Sequence, residues 1–296
     1  MIQTYQAAGV REWAGIVIEL SKIRISQLVA MSTILGYIMA TGELSLFLVV
    51  PALGTFLLSC GSSALNQFQE WQYDSKMLRT RYRPIPSGRI SPETGLKIAI
   101  ALMVSGAVIL GLFTNLTAFA LGLFNILWYN GVYTPLKRKT AFAVIPGSLI
   151  GAIPPAIGWA ARGRGLEHPQ IMAIGLFFFI WQVPHFWLLI LNLSEDYQRA
   201  GFPTLSNLFD QRQISRLTFM WTLATALSCL MIPLFGIGHS VVLHWLLYGA
   251  AFWLIWMSRE LLSSSEKNGM FRAMFMRINI YMLVVMVFLS IDRLIV

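Results

Sequence analysis

The stretch Asn66–Pro84, NQFQEWQYDSKMLRTRYRP, decides how the rest of this chain is interpreted. It ends an apolar run and carries Asn66, Glu70 and Asp74 at intervals of four residues. On a helix, residues four apart drift only about 40° around the axis, so these three side chains share one face. Basic residues follow directly, at Lys76, Arg79, Arg81 and Arg83. Oxygen ligands beside cations predict a site for diphosphate bound with Mg²⁺.

The composition indicates an integral membrane protein. The 296 residues are 56% apolar and 12% charged, with a mean hydropathy of +0.66, and a soluble globule of this length could not bury so much apolar surface. Cys60 and Cys229 lie inside apolar runs, where we expect small core residues rather than a disulfide or a metal pair. Residues 1–22 are mixed and polar, so we expect no signal peptide and a cytosolic N-terminus.

Nine apolar runs are long enough to cross about 30 Å of hydrocarbon as helices. They lie near residues 24–42, 46–68, 93–113, 116–134, 141–161, 171–192, 214–236, 240–259 and 272–294. The predicted fold is therefore all-α: a polytopic membrane protein whose residues 1–296 form one domain, a bundle of nine transmembrane helices. With a cytosolic N-terminus, the C-terminus lies outside, and the loops on the cytosolic side include two long ones that cap the bundle, residues 69–92 and 193–213.

The basic residues support this topology. The segments assigned to the cytosol hold 19 of the 22 lysines and arginines, and the outer segments hold Arg162, Arg164 and Arg293. This bias agrees with the positive-inside rule and predicts a multi-pass protein of the inner, cytoplasmic membrane, with lipid as its surroundings. It also accounts for the net charge of +9 without nucleic acid as a partner, because the basic residues are spread over short loops.

The second long loop, NLSEDYQRAGFPTL at residues 192–205, resembles the first. Asn192 and Asp196 repeat the spacing of Asn66 and Glu70, and Arg199 follows. Two such helix ends facing each other would clamp a diphosphate, with the basic loops folded over it. We therefore predict that the metals are held by Asn66, Glu70, Asp74, Asn192 and Asp196. The alternative is that these are solvated loop charges that pair with one another.

The turn YTPLKRKT, residues 133–140, supplies further cations. Lys139 is assigned to anchoring at lipid headgroups, whereas Lys137 and Arg138 could reach a phosphate. The predicted diphosphate-binding residues are Lys76, Arg79, Arg83, Lys137 and Arg138. The predicted catalytic residues are Asn66, Glu70, Asp74, Asp196 and Arg79.

His185 is a separate candidate, because a histidine in mid-membrane is costly unless it faces the interior of a bundle. It precedes Asn192 by seven residues and Asp196 by eleven, which places all three on one helical face. A helix continuous to Asp196 would put His185 about 16 Å deeper in the membrane. The alternative is a neutral histidine bonded to a carbonyl that Pro184 has freed.

Several motifs together resemble the UbiA-type intramembrane prenyltransferases. They occur in order between about residues 20 and 210: the stretch 66–84, YTPLKRKT, GAIPPAIGWAA (151–161), WQVPHFW (181–187) and EDYQRAGFPTL (195–205). The resemblance implies nine transmembrane helices, a Mg²⁺-diphosphate site at the cytosolic mouth, and an isoprenoid chain within the membrane.

GAIPPAIGWAA, PHFW and DYQRAGFP are most similar to the haem-modifying members of that family. This implies transfer of a farnesyl group from farnesyl diphosphate to the vinyl group of protohaem IX (haem B), giving haem O and diphosphate. It further implies Mg²⁺ as cofactor, His185 as a haem-binding residue, and downstream haem-modifying or terminal-oxidase assembly proteins as partners.

The chain departs from the family pattern at three places: Glu70 replaces the usual Asp, Ser194 and Glu195 replace part of a second acidic motif, and Lys22-Ile23-Arg24 replaces Lys-Pro-Arg. Because Glu also binds Mg²⁺, these changes leave the metal site in place and put the acceptor in question. A prenyltransferase acting on an aromatic or quinone-precursor acceptor is one alternative. A secondary transporter and a purely structural membrane protein are the others.

Overall fold

The protein is helical in the part of the chain that the structure describes. The computed structural model describes residues 9–263 and 269–295, and no β-strand occurs among them. The α-helices are α1 Val10–Leu20, α2 Ile23–Thr41, α3 Val49–Asp74, α4 Pro92–Phe113, α5 Leu116–Ile126, α6 Thr134–Leu136, α7 Val144–Gly147, α8 Leu149–Ala160, α9 Pro169–Asn192, α10 Ser194–Arg199, α11 Gln211–Met231, α12 Val241–Ser258 and α13 Met270–Ile295. Short 3-10 helices occupy Leu46–Leu48, Ala141–Ala143, Leu205–Asn207, Ile232–Phe235 and Arg259–Leu262, and a π-helix occupies Leu127–Tyr133.

Eight helical segments in the described residues are long and apolar enough to cross a membrane. They are Ile23–Thr41, Leu46–Asp74, Pro92–Phe113, Ala141–Ala160, Pro169–Asn192, Gln211–Phe235, Val241–Leu262 and Met270–Ile295. The remaining predicted run, 116–134, is helical without a break from α5 through the π-helix into α6. The prediction of an all-α, multi-pass membrane protein is confirmed, and nine is an approximate count because this segment is a composite.

Polar side chains fix where several of these helices begin. Ahead of each, one side-chain oxygen accepts a hydrogen bond from the backbone N–H three residues later, which satisfies an amide that has no partner within the helix. This pattern occurs at the residues before α4, α5, α11 and α12, which are Ser91, Asn115, Asp210 and Ser240. The polar residues between the apolar runs therefore act as helix boundaries.

Glycine allows close helix packing where α2 meets α8. A side chain at Gly36 would overlap the backbone of Pro155, and one at Gly158 would overlap the carbonyl of Thr33. The two backbones are therefore in direct contact, which is typical of membrane helices that pack through small residues. The predicted core position of the cysteines is also observed, since Cys60 and Cys229 are free and buried.

The mixed, polar segment that precedes the first membrane helix, residues 1–22, contains a helix that was not predicted. Residues 1–8 lie outside the described part of the chain, but α1 is an amphipathic helix whose Ile16 and Leu20 are buried against the bundle. Its apolar residues recur at helical spacing among charged ones, so hydropathy averaged over the segment hides the apolar face. The chain turns sharply between α1 and α2 at Lys22, whose φ is 44°.

The helix that carries His185 does not reach Asp196, so the prediction of one continuous face is wrong for Asp196. α9 runs through Pro184 without interruption and ends at Asn192. Leu193 has φ −123° and ψ 20°, and α10 then begins with acidic residues in its first turn, Glu195 and Asp196. Acidic side chains favour the positive end of a helix dipole, which explains a new helix start at this point.

The two long loops contact each other, as expected for a cap. Met77 from the first loop and Ala200 and Phe202 from the second form a small buried cluster, and Tyr73 and Tyr197 pack against it. The rings of Tyr73 and Phe202 are 5.1 Å apart. The cap therefore covers the end of α3, where the charged residues of the predicted site lie.

Candidate active site

The last turns of α3 present a buried polar face. Asn66, Glu70 and Asp74 are only 2%, 5% and 4% exposed, although carboxylates are rarely buried without a partner. The Asn66 Nδ2 donates to Glu70 Oε2 at 3.0 Å and to Thr134 Oγ1 at 3.2 Å. The four-residue spacing thus produces one continuous row of oxygen ligands beneath the cap.

Cations from three other segments face this row. Lys137 Nζ lies 2.6 Å from Glu70 Oε2, and Arg83 NH1 lies 2.7 Å from Asp74 Oδ2. Arg138 Nε is 3.8 Å from Glu70 Oε1, which is too long for a hydrogen bond. Lys22 Nζ approaches Asn66 Oδ1 at 3.5 Å. Four cationic side chains therefore surround two carboxylates, and the excess positive charge suits a polyanion such as diphosphate.

The electrostatic surroundings of the two lysines differ. Burial, reinforced by the Arg83 and Lys137 cations, lowers the pKa of Lys22 to about 7. Burial by itself would also lower the pKa of Lys137, but the adjacent Glu70 carboxylate outweighs it and holds that pKa above its usual value. Lys137 therefore stays charged, whereas burial and, to a lesser extent, the Arg83 and Lys137 cations disfavour the charged form of Lys22. A bound polyanion would favour that charged form.

The predicted ligands from the second loop occupy different positions. Both carboxylate oxygens of Asp196 accept backbone N–H bonds from the first cap loop, from Leu78 at 3.0 Å and from Arg79 at 3.2 Å. Asn192 is exposed, and its amide donates to the carbonyl of Leu188 at 2.8 Å. The structure thus brings Asp196 to the cap as a link between the two loops, and it leaves Asn192 at the exposed end of α9.

Two of the predicted phosphate ligands lie on the outside of the cap. Lys76 and Arg79 are exposed, and the Lys76 ammonium lies over the ring of Tyr73 at 5.7 Å. In the described residues, the ion pairs to Glu70 and Asp74 come from other cations, namely Lys137, Arg138 and Arg83. The partly buried cations of the site are therefore these three residues, together with Lys22.

The buried side chain of Asn130, which was not predicted as a site residue, connects the segments that form this site. Asn130, in the π-helix, accepts from Ser62 Oγ at 2.6 Å and donates to Ser62 O and Gln69 Oε1, both at 3.1 Å. Gln69 Nε2 returns a bond to Asn130 O at 3.0 Å. These bonds fix the π-helix against α3, and the turn that follows carries Lys137 and Arg138. An asparagine within an apolar membrane run was the available signal.

Replacing Asn130 by alanine is expected to lower diphosphate affinity about tenfold, because loss of its buried hydrogen bonds frees the turn that places Lys137. Isothermal titration with farnesyl diphosphate measures the effect. The matched control is Asn125→Ala, five residues earlier on the same composite helix, whose Oδ1 is buried and has no hydrogen-bond partner among the described residues. Equal affinities for the two variants would show that Asn130 does not position the site.

The surroundings of His185 are aromatic. Its ring centroid lies 4.6 Å from that of Trp181, 5.1 Å from Phe275 and 5.6 Å from Phe186. His185 Nδ1 is buried and, within the described chain, has no hydrogen-bond partner. A carbonyl freed by Pro184 therefore does not satisfy this nitrogen. Such an imidazole is available to a metal ion or a metal-bearing ligand.

Stacked rings connect His185 to the charged site. Lys137 Nζ lies 5.6 Å from the centroid of Tyr133, which stacks on Tyr129 at 5.7 Å and on Phe186 at 5.5 Å. Phe186 in turn contacts His185. The two candidate regions thus share one aromatic wall that runs from beneath the cap into the bundle.

The chain matches the UbiA prenyltransferase family over residues 29–281. It belongs to that family. It is 33% identical over 276 residues to a protein named protoheme IX farnesyltransferase from Oleidesulfovibrio alaskensis, a match that covers 93% of this chain and 95% of the relative. A protein of the same name from Nitratidesulfovibrio vulgaris is 37% identical over 223 residues, which cover 74% of this chain and 78% of the relative.

Solved UbiA-family structures share the fold. A structure of digeranylgeranylglyceryl phosphate synthase aligns with a TM-score of 0.78 at 16% identity, covering 96% of this chain and all of the other. A UbiA homologue from Archaeoglobus fulgidus bound to GPP and Mg²⁺ aligns with a TM-score of 0.71 at 14% identity, covering 95% of this chain and 100% of that one. The described helices therefore form a UbiA-type bundle.

The oxygen ligands of this UbiA chain fit Mg²⁺ when water and substrate phosphates complete the coordination shell. Glu70 Oε1 is buried without a hydrogen-bond partner among the described residues, and Asn66 and Asp74 flank it on the same face. No cluster of three or more His, Cys, Asp and Glu side chains close enough for a metal occurs in the described ranges. Mg²⁺ commonly takes one or two carboxylates and completes its shell with water and substrate phosphates, and this donor set suits that mode.

Proposed function

We propose that this protein transfers the farnesyl group of farnesyl diphosphate to the vinyl group of protohaem IX, giving haem O and diphosphate. The observation that carries the proposal is the row of buried carboxylates facing excess cations, joined by an aromatic wall to His185, whose Nδ1 has no hydrogen-bond partner among the described residues. The similarity to proteins named protoheme IX farnesyltransferase, over 93% of the chain in one case, supports the choice of substrates.

The diphosphate binds where the partly buried cations converge. Lys22, Arg83, Lys137 and Arg138 contact its oxygens, and Asn66, Glu70 and Asp74 would hold Mg²⁺. Bound Mg²⁺ supplies positive charge to the leaving diphosphate. We propose that Lys76 and Arg79 make further contacts from the cap loop. For Asp196 we propose a positioning role, because both of its oxygens already hold that loop.

Ionisation breaks the bond between the allylic carbon and the diphosphate oxygen. The partly buried cations are already oriented before charge develops on the leaving group, so they stabilise the transition state without reorganising. The aromatic wall of Tyr129, Tyr133 and Phe186 offers ring faces to the allylic cation and excludes water from it. The vinyl π-electrons of the haem then form the new carbon–carbon bond, and water adds to the resulting cation with loss of a proton.

His185 holds the haem in this scheme. Its unpartnered nitrogen binds the iron, while Trp181 and Phe275 pack against the macrocycle. Because Phe186 links His185 to Tyr133 through ring contacts, a haem at His185 can extend one edge toward the ionising carbon. In this scheme the donor lies at the cap end of the aromatic wall and the acceptor lies in the membrane interior.

Comparing extracts from cells that express the protein with extracts from cells that lack it tests the proposal. Mass spectrometry of the haem fraction is expected to detect haem O only with the protein. Mass spectrometry of the lipid fraction serves as the second readout, because an aromatic or quinone-precursor acceptor would give a prenylated lipid instead. A prenylated lipid without haem O would overturn the choice of acceptor.

We further propose that the chain is a single domain of the inner membrane, with a cytosolic N-terminus and an external C-terminus. We also propose that its product passes to haem-modifying or oxidase assembly proteins.

Single cysteines at Ser87 and Gln211, both exposed, are expected to react only with reagents that enter the cytosol. A cysteine at the exposed Glu167 is expected to react from outside. The native cysteines are buried and provide the unlabelled background. Reversed labelling would contradict the proposed orientation.

A further inference from the structure

A cavity lined by charged residues lies at the opposite end of the bundle from the proposed active site. It has a volume of about 240 Å³, and its polar lining comes from Arg164, His168, Gln170, His239 and Arg293, with Trp159 beside them. His168 precedes the first residue of α9, whereas the cap lies beyond its last residue, Asn192. A helix of 24 residues spans about 36 Å, so the two sites are a membrane thickness apart.

The arginines of this cavity are not neutralised by carboxylates. In the described part of the chain neither Arg164 nor Arg293 takes part in an ion pair. Asp292 is buried nearby, but its oxygens accept from the backbone N–H groups of His239 and Ser240 and from the Ser240 hydroxyl. Arg293 NH1 lies 3.3 Å from His239 Nε2, and the Arg164 guanidinium lies 5.9 Å from the Trp159 ring. Two guanidinium groups that are not ion-paired in the described residues thus border one cavity.

The start of α9 adds to the positive potential. His168 has extended backbone angles ahead of the helix, and no side chain caps it. Pro169, the first residue of the helix, has no N–H, but the next amides, those of Gln170 and Ile171, come too early in the helix to have a partner within it, and the helix dipole places positive charge at this end. Because His168 and Gln170 both line the cavity, the arginines and the helix start act on the same space. An anion is the ligand that all of these groups favour.

Membrane orientation alone does not explain why two arginines lie at one cavity. Among the described lysines and arginines, those at this end of the bundle are Arg162, Arg164 and Arg293, and the last two line the cavity. Arg162 instead lies over the rings of Tyr37 and Phe47. Under the proposed orientation this is the side where basic residues are disfavoured, so their convergence on one cavity needs a local reason.

We propose that this cavity binds one phosphate group, carried either by a phospholipid of the adjacent leaflet or by free inorganic phosphate. Planar guanidinium groups match phosphate oxygens, and Gln170 provides a neutral donor. Leu234 and Val241 near the cavity are 79% and 68% exposed, which provides apolar surface for acyl chains. The site is separate from the proposed haem site, because His185 lies 17 residues along α9 from His168, or about 25 Å.

Native mass spectrometry of the full chain in a neutral detergent, after lipid removal, tests the proposal with phosphatidylglycerol as the probe. The wild type is expected to retain one lipid, and Arg164→Gln/Arg293→Gln is expected to bind it at least about tenfold more weakly, since charged hydrogen bonds are lost. Arg162→Gln is the matched control and is expected to behave as wild type. If the double variant does not fold, Arg164→Gln alone carries the test, because that side chain is exposed.

Inorganic phosphate in a second arm separates the two sources. Displacement of the lipid by millimolar phosphate supports a site for the free anion, and retention of the lipid supports a headgroup site that also uses the acyl chains. Equal binding of phosphatidylglycerol and of phosphate by the wild type and both cavity variants would overturn the proposal. Farnesyl transfer is expected to be unchanged in these variants, so this result is independent of the proposed enzymatic activity.

Discussion

Replacing Asp74 by asparagine is expected to lower Mg²⁺-dependent release of diphosphate from farnesyl diphosphate by about a hundredfold to a thousandfold, the range found when one preorganised charge-stabilising group is lost. Asp74 is 4% exposed and pairs with Arg83 at 2.7 Å. Asparagine retains one oxygen and the side-chain volume but removes the charge that pairs with Arg83 and that the proposed metal site requires. Phosphate detection coupled to a pyrophosphatase, with detergent-purified protein, measures the rate.

Loss of folding is the main competing explanation, because breaking a buried pair costs about 3–5 kcal/mol. Size-exclusion profiles and thermal unfolding of the Asp74→Asn variant separate misfolding from inactivity. Asp210→Asn is the matched control, since Asp210 is an exposed helix cap where asparagine serves equally well. Glu70→Asp is expected to retain most of the activity, because the ligand type is unchanged. A folded Asp74→Asn variant with wild-type release would mean that the acidic row is not a metal site.

Replacing His185 by alanine is expected to weaken haem binding by at least about tenfold, since losing even an outer-shell partner of a metal ligand costs about that much, and to shift the Soret band. Affinity for farnesyl diphosphate is expected to stay unchanged. We expect this because His185 does not adjoin the charged site: among the described residues, the rings of Phe186 and Tyr133 connect the two. Spectroscopic haem titration and calorimetric titration of farnesyl diphosphate on the same preparation measure the two affinities.

His244→Ala is the matched control for this change. His244 is also a helical histidine with a buried nitrogen, Nε2, that has no hydrogen-bond partner in the described residues, but it lies on α12 near Gly238. We expect normal haem binding for this variant. Normal haem binding by His185→Ala as well would reduce His185 to a packed core residue. Loss of both substrates would instead mean that α9 depends on the ring for its structure.

The acidic row was predictable from the sequence because its geometry is local. Asn66, Glu70 and Asp74 lie within one helix, and a spacing of four residues determines their common face whatever surrounds the helix. The apolar runs were predictable for the same kind of reason, since length and hydropathy are properties of each segment alone. The amphipathic α1 was missed because averaging over the N-terminal segment removes the periodicity that defines it.

The residues that contact the acidic row were harder to predict from the sequence. Lys137 contacts Glu70 across 67 residues of sequence, and Asn130 contacts Ser62 across 68. Residue type made Lys137 a candidate, but nothing local in the sequence indicated which carboxylate it meets or that Asn130 fixes its position. Lys22 reaches Asn66 from a separate helix for the same reason. Such contacts depend on how α2, α3 and the π-helix pack.

The position of Asp196 was predicted wrongly because the four-residue spacing was given more weight than the residues that start a new helix. Its spacing from Asn192 repeats that of Glu70 from Asn66, which favoured a second metal-binding helix end. Ser194 and Glu195 are typical of a first helical turn, and the structure begins α10 there. The break at Leu193 turns Asp196 toward the amides of Leu78 and Arg79, so the carboxylate joins the two cap loops.

The central claim is that an aromatic wall joins a Mg²⁺-diphosphate site to a haem site. Purified protein in lipid nanodiscs, supplied with farnesyl diphosphate, haem B and Mg²⁺, tests it most directly when haem O and diphosphate are both quantified. We predict that the two products form in equal amounts, and that chelation of Mg²⁺ stops both. Diphosphate release without haem O, under conditions where haem B is bound, would contradict the account.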